Sequence, residues 1–287
     1  MLAKRFRWRI VGTLMLVVLE SVAFLLFPLV LGLAIDDLIG GERAGLIALF
    51  ALTVVALAIA TGRRFYDTRA YASVYRTIAA EMVEREHRDR TPVSKISARA
   101  TLLVEFVEFL EESLPMIIGS AISIVGAVLI LLSMHTGVGV AAVGLIVLVA
   151  LVYLVTMRAN TRFNASYNDE LERQVHAIES ESVPTTIRHF RDLMRWRVNL
   201  SDLETFNYAA IFIGVIGLLI YSPVALVDES ARQGAVFAGM MYVFQYIEDV
   251  LHSPLYLQQL IRLDEIAGRL GRTRPAPSGD RVELPER

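Results

Sequence analysis

The chain has 287 residues, of which 55% are hydrophobic, and its mean hydropathy is +0.51. The net charge of −2 argues against nucleic acid as a partner, and the absence of cysteine excludes disulfides, iron–sulfur clusters and thiol nucleophiles. Because the apolar residues are gathered into long runs, we expect an all-α protein that crosses a membrane several times and is surrounded by lipid.

Six apolar runs are candidate transmembrane helices, since about 20 residues are needed to cross a bilayer. They are Ile10–Ile35, Leu46–Thr61, Leu114–Met134, Val138–Met157, Tyr208–Val227 and Ala235–Ile247. The second and the sixth are short. Six spans would place both termini on the same side of the membrane.

The positive charges separate the two sides. Apart from Arg43 and Arg232, every Lys and Arg lies in one of four segments: before Ile10, 63–99, 158–197, or after Tyr256. By the positive-inside rule, both termini and the two long connections are predicted to be cytoplasmic. The strong preference for Arg over Lys favours a GC-rich bacterial source, so we expect a multi-pass protein of the inner membrane.

The first run carries Glu20 near mid-depth, where an ionised group is costly unless it faces water or a partner. Glu20 is therefore predicted either to lie on a substrate or ion pathway or to tie two helices together. The run ends in Pro28-Leu-Val-Leu-Gly32-Leu-Ala-Ile-Asp36-Asp37, where the proline is expected to kink the helix.

Polar helical sequence follows the second run and continues to about Arg90, which corresponds to a helix about 65 Å long. Arg63 and Arg64, at the start of this extension, are expected either to snorkel to the inner interface or to face a watery cavity. The chain turns at Thr91-Pro92 and returns toward the third run.

A second polar segment, 158–204, repeats this pattern with a turn near Pro184. Both segments are predicted to be cytoplasmic helical hairpins with arms of about 30–45 Å. Helices held out in water gain little from the membrane bundle, so the hairpins are expected to dock on a partner.

The sequence Pro28-x-x-x-Gly32-x-Ala-Ile-Asp36-Asp37 resembles the end of the first helix in the transmembrane domain of ABC exporters. The layout of six spans and two hairpins is also similar to that domain almost from end to end. The resemblance implies an exporter-type transmembrane domain over residues 1–270, followed by a flexible tail over 271–287 and no nucleotide-binding domain.

The same resemblance implies a homodimer or heterodimer with another six-helix half, and ATP bound and hydrolysed on a separate ATPase subunit. In this family the hairpin tips dock on the ATPase. The residues at the corresponding positions are Thr91, Pro92, Ser94, Glu181, Pro184 and Thr185.

Two groups of acids complete the candidate pathway. Glu105, Glu108 and Glu112 fall within roughly 60° of one another on an ideal helix and precede the third span. They are predicted to form a hydrated helix face that lines the cytoplasmic vestibule or pairs with arginines of the neighbouring hairpin. Long-range attraction of cations is the alternative role. Glu248 and Asp249 would lie in the inner part of the membrane if the sixth span has its full length, and in the cytoplasm if it exits early.

No catalytic motif is recognisable. A Walker A loop needs Gly-Lys, and neither Lys4 nor Lys95 follows a glycine. We therefore expect a chain that is not an enzyme and binds no cofactor or metal by itself.

Three functions agree with these patterns. The leading interpretation is a permease subunit that moves a solute or peptide with energy from a separate ATPase. The acids Glu20, Glu248 and Asp249 suggest an alternative, a proton-gradient-driven carrier similar to the SbmA/BacA-like peptide permeases. A non-transporting membrane scaffold is the third.

Overall fold

The computed structural model describes residues 6–90, 92–179, 182–229 and 232–271. Within these residues the chain is helical and contains no strand, which confirms the all-α prediction. The helices are α1 Arg7–Ile39, α2 Ala44–Arg88, α3 Val93–Glu108, α4 Leu114–Met134, α5 Thr136–Glu172, α6 Gln174–Glu179, α7 Val183–Glu229 and α8 Gln233–Gly271. A π-helical turn, Phe109–Ser113, joins α3 to α4 without a break.

Five helical stretches of the described residues are long and apolar enough to cross a membrane: α1, α2, α3 with α4, α5 with α6, and α7. The multi-pass prediction is thereby confirmed. The sixth apolar run, Ala235–Ile247, lies in α8, which does not qualify because Gln245, Glu248 and Asp249 interrupt the apolar residues. A sixth span remains a prediction.

The chain forms two compact units. The first contains the residues up to Leu26, Phe50–Ser123 and those from Leu251 onward, and the second contains Phe27–Leu49 and Ile124–Val250. Helices α1, α2, α4 and α8 each contribute to both. The predicted domain end at residue 270 lies one residue before the end of α8, and residues 272–287 of the predicted tail lie outside the described residues.

In the second unit, α5 and α7 pack against each other. Val138, Ala142, Leu145 and Val149 are buried at spacings of three and four residues, which places them on one face of α5. Ile211, Val215, Leu218 and Ser222 form the equivalent face of α7. This periodicity explains why the two helices pack against each other over several turns.

The C-terminal end of α1 is held by glycines and aspartates of the second unit. A Cβ added at Gly32 would overlap the carbonyl oxygen of Gly234, so α1 and α8 cross at backbone contact. Asp36 Oδ1 accepts a hydrogen bond of 2.7 Å from the Gly234 N–H near the start of α8. Asp37 Oδ2 accepts one of 2.7 Å from the Gly45 N–H near the start of α2. Gly32, Asp36 and Asp37 of the exporter-like motif therefore bind α1 to two helix N-termini, where carboxylates are favourable.

In the first unit, α2 and α3 are the helices of the first predicted hairpin. The side chain of Glu86 is 5% exposed and pairs with the Arg99 guanidinium across the two helices. Leu103 and Val107 of α3 are buried. The ion pair links α2 to α3 close to the connection between them.

Candidate functional site

The first unit contains a cavity of about 420 Å³ lined by α1, α2, the π-helical turn and the start of α4. Its volume is in the range typical of small-molecule sites, about 300–1,000 Å³. Six charged side chains line it: Glu20, Arg63, Arg64, Asp67, Glu111 and Glu112. Four carboxylates therefore face two guanidinium groups, which gives the cavity a formal charge of −2.

Arg63 is the centre of an ion-pair network. Its Nε donates to Glu20 Oε2 of α1, and its Nη1 donates to Asp67 Oδ2 at 3.0 Å, one turn along α2. The side chains are 23%, 15% and 4% exposed, for Arg63, Glu20 and Asp67 respectively. Because Glu20 and Arg63 are both partly withdrawn from water, each helix would carry an uncompensated charge without the other.

The π-helical turn brings two further acids to the cavity. Pro115 has no N–H and cannot complete the hydrogen-bond ladder, while the Leu114 N–H reaches back to the Phe109 carbonyl, five residues earlier. The wider turn changes the direction of the side chains that follow Glu108. Glu111 Oε1 accepts a hydrogen bond of 3.2 Å from Thr68 Oγ1 of α2.

Asp67 is the most deeply buried of the charged cavity residues that sequence reasoning missed. It is 3% exposed, and its Oδ1 is buried without a hydrogen-bond partner. The hydroxyl groups of Thr13 and Tyr71 are also buried, and these two side chains lie within hydrogen-bonding reach of each other. The available signal was the i,i+4 spacing from Arg63, which places an acid and a base on the same face of a helix. Thr68 and Glu111 were not singled out as site residues either.

The predicted pathway residues separate into two groups. Glu20, Arg63, Arg64 and Glu112 line the cavity. The others are not among its lining residues: Glu105, Glu108, Glu248 and Asp249. Glu105 Oε2 instead accepts a hydrogen bond of 3.2 Å from Arg262 of α8. Glu108 and Glu248 are exposed, and Asp249 is half-buried. The expected acidic face is therefore divided at the π-helical turn.

The residues predicted at the hairpin tips lie at the two inter-helix connections. Pro92 precedes α3 and is exposed, as is Ser94 in the first turn of that helix. Pro184 and Thr185 are exposed in the first turn of α7. Thr91 and Glu181 lie outside the described residues. Each tip thus presents a helix start to its surroundings.

Among the described residues, no group of three or more acidic or histidine side chains is arranged to hold a metal ion. In the cavity, Arg63 engages two of the four carboxylates. The arrangement is suited to binding an organic cation through carboxylate oxygens.

A comparison with curated proteins gives no match to the chain. A family model described as the ABC transporter transmembrane region matches residues 1–233. This match includes α1 to α7 and the residues that line the cavity. The chain therefore belongs to the ABC transporter transmembrane region family.

Proposed function

We propose that the chain is the permease subunit of an exporter-type ABC transporter, that it moves a solute or peptide, and that ATP is hydrolysed by a separate ATPase subunit. The observation that carries this proposal is that α2 and α7, in a chain of this family, are much longer than a membrane crossing needs. Six spans, a dimer of six-helix halves and cytoplasmic termini in a bacterial inner membrane complete the proposed arrangement.

Helix length supports the placement of the hairpins. Helix α2 has 45 residues, which correspond to about 68 Å, whereas the hydrocarbon core of a bilayer is about 30 Å thick. The part of α2 beyond Thr61 contains the basic residues that the positive-inside rule assigns to the cytoplasm. Helix α7, with 47 residues, has the same excess.

Exposed apolar surface supports lipid and dimer contacts. Large apolar side chains on different helices are largely exposed, among them Phe50 at 71%, Val155 at 78% and Ile213 at 73%. Such surfaces are unfavourable in water and mark sites that lipid or another protein covers. A dimer in a bilayer would bury them.

Single-cysteine crosslinking tests the ATPase partner, because the chain has no cysteine of its own. Ser94→Cys and Thr185→Cys at the tips, labelled with a photoactivatable maleimide in native membranes, should form adducts with a polypeptide that carries a nucleotide-binding domain. Thr101→Cys and Thr161→Cys, on exposed positions of the arms, are the matched controls. No such adduct from either tip, or equal yields from arms and tips, would contradict the proposal.

A proton-driven carrier is the second candidate, and the Glu20–Arg63–Asp67 network favours it because carboxylates in an apolar bundle suit proton relay. Uptake of a labelled basic peptide into liposomes under an imposed pH gradient, without ATP, would support this candidate. Glu20→Gln or Glu248→Gln should then abolish uptake, whereas the exposed Glu84→Gln should not. Uptake that ignores the gradient removes the candidate.

A further inference from the structure

We propose that the cavity of the first unit binds the ammonium or guanidinium group of a small amphipathic organic cation, with Asp67 as its principal acceptor. The proposal goes beyond transport and its energy source, because it concerns binding to one chain. It rests on the charge of the cavity, on the state of Asp67 and on the apolar residues beside the acids.

The charge favours a cation. Four carboxylates and two guanidinium groups line about 420 Å³, so an anionic ligand would add repulsion while a monovalent cation would relieve it. Arg63 is already engaged by Glu20 and Asp67. Glu111 and Glu112 therefore contribute acceptor capacity that Arg63 does not use.

Asp67 is the strongest single indication. Its side chain is 4% exposed, one carboxylate oxygen accepts a hydrogen bond from Arg63, and the other is buried without a donor. An ionised carboxylate can accept several hydrogen bonds, and a buried acceptor without a donor is unfavourable. The N–H of a bound ammonium or guanidinium group would supply the missing donor.

The remaining surface of the cavity indicates what accompanies the charge. Val17 and Phe24 of α1 and Pro115 and Met116 of α4 line it beside the acids. Apolar contacts and a few fixed polar groups are the usual composition of small-molecule sites. A hydrated metal ion would not use the apolar surface, and the described residues hold no metal-ligand group.

Binding of ethidium, a monovalent aromatic cation, to the full chain in lipid nanodiscs tests the proposal by fluorescence anisotropy. We expect saturable binding, and Asp67→Asn should raise the Kd about tenfold or more. Glu112→Gln, at an exposed position on the cavity, should raise it several-fold. The matched control is Glu84→Gln, because Glu84 is an exposed acid of α2, the helix of Asp67, and pairs with Arg88 outside the cavity. The Kd of this variant should stay within twofold of that of the unmodified chain.

The neutral dye N-phenyl-1-naphthylamine separates charge recognition from partitioning into lipid, since its binding should not respond to any of these substitutions. If Asp67→Asn does not fold, Glu111→Gln and Glu112→Gln decide the question alone. The proposal is wrong if ethidium binds no better than to empty nanodiscs, or if its Kd is unchanged by the cavity substitutions. Equal effects of Glu84→Gln would also overturn it.

Discussion

The substitution Gly234→Ala tests the contact between α1 and α8. A Cβ at this position would overlap the carbonyl oxygen of Gly32 and lie 2.8 Å from the Asp36 carboxylate carbon. Because the overlapped atom belongs to the backbone, the helices must separate, which costs about 1–3 kcal/mol as for other overpacked sites. The separation also weakens the charge-assisted hydrogen bond from Gly234 to Asp36, which contributes about 1.5–3 kcal/mol.

A combined loss of about 3 kcal/mol corresponds to a fall in Tm of roughly 6–12 °C for a chain of this size. Thermal unfolding in detergent, followed by intrinsic fluorescence, measures it. The matched control is Gly217→Ala, because a Cβ at Gly217 has no atom within 4 Å and alanine is the better helix former by about 0.5–1 kcal/mol. If Gly234→Ala is as stable as Gly217→Ala, the close crossing is wrong.

Three further predictions use the same unfolding measurement. Arg63→Met should destabilise the chain by about 3 kcal/mol, because it leaves Glu20 and Asp67 without their cation, whereas Arg64→Met, at an exposed neighbour, should cost little; equal losses would contradict the ion-pair network. Leu131→Ala, at a side chain that is 0% exposed, should cost about 2–5 kcal/mol, and Leu129→Ala, at 61% exposure, should cost far less. Tyr246→Phe removes the hydroxyl that donates to the Ala142 carbonyl and should cost about 1 kcal/mol; an unchanged Tm would show that this bond is not formed.

Helices and their lengths were the predictable part of the fold, because they depend on local sequence. The apolar runs and the polar extension to about Arg90 together predicted the continuous α2, which ends at Arg88. The apolar run of α8 does not predict a membrane crossing as clearly, because Gln245, Glu248 and Asp249 interrupt it. The sixth span depends on how those groups are compensated, and the sequence does not determine that by itself.

The directions of the glutamate side chains around the helix axis were predictable from the sequence only for Glu105 and Glu108, which precede the π-helical turn. The estimate of 100° per residue assumes an unbroken α-helix, and the π-helical turn at Phe109–Ser113 violates that assumption. Pro115 is the local signal, since proline interrupts the hydrogen-bond ladder of the preceding turn. A prediction that had used it would have separated Glu111 and Glu112 from Glu105.

Contacts between distant segments were beyond sequence reasoning. Nothing in the sequence around Gly32 or Gly234 indicates a special role for either glycine. Only the close crossing of α1 and α8 shows why a side chain is excluded at both positions. In the same way, the i,i+4 spacing pairs Asp67 with Arg63 within α2, but only the structure places Glu20 of α1 beside them. Periodicity describes one helix, whereas these features need two.

The hydrogen bonds of Asp36, Asp37 and Asp67 distinguish aspartates that stabilise the fold from the one that we propose binds a ligand. Asp36 and Asp37 each accept a backbone N–H near the start of another helix, so asparagine, which keeps an acceptor oxygen, should replace them at small cost. Asp67 has a charged partner on one oxygen and no donor on the other. Its charge is needed for a cationic ligand rather than for the fold, because Arg63 retains Glu20 when Asp67 is neutral. Asparagine at Asp67 should therefore impair cation binding more than stability, while asparagine at Asp36 should leave binding unchanged.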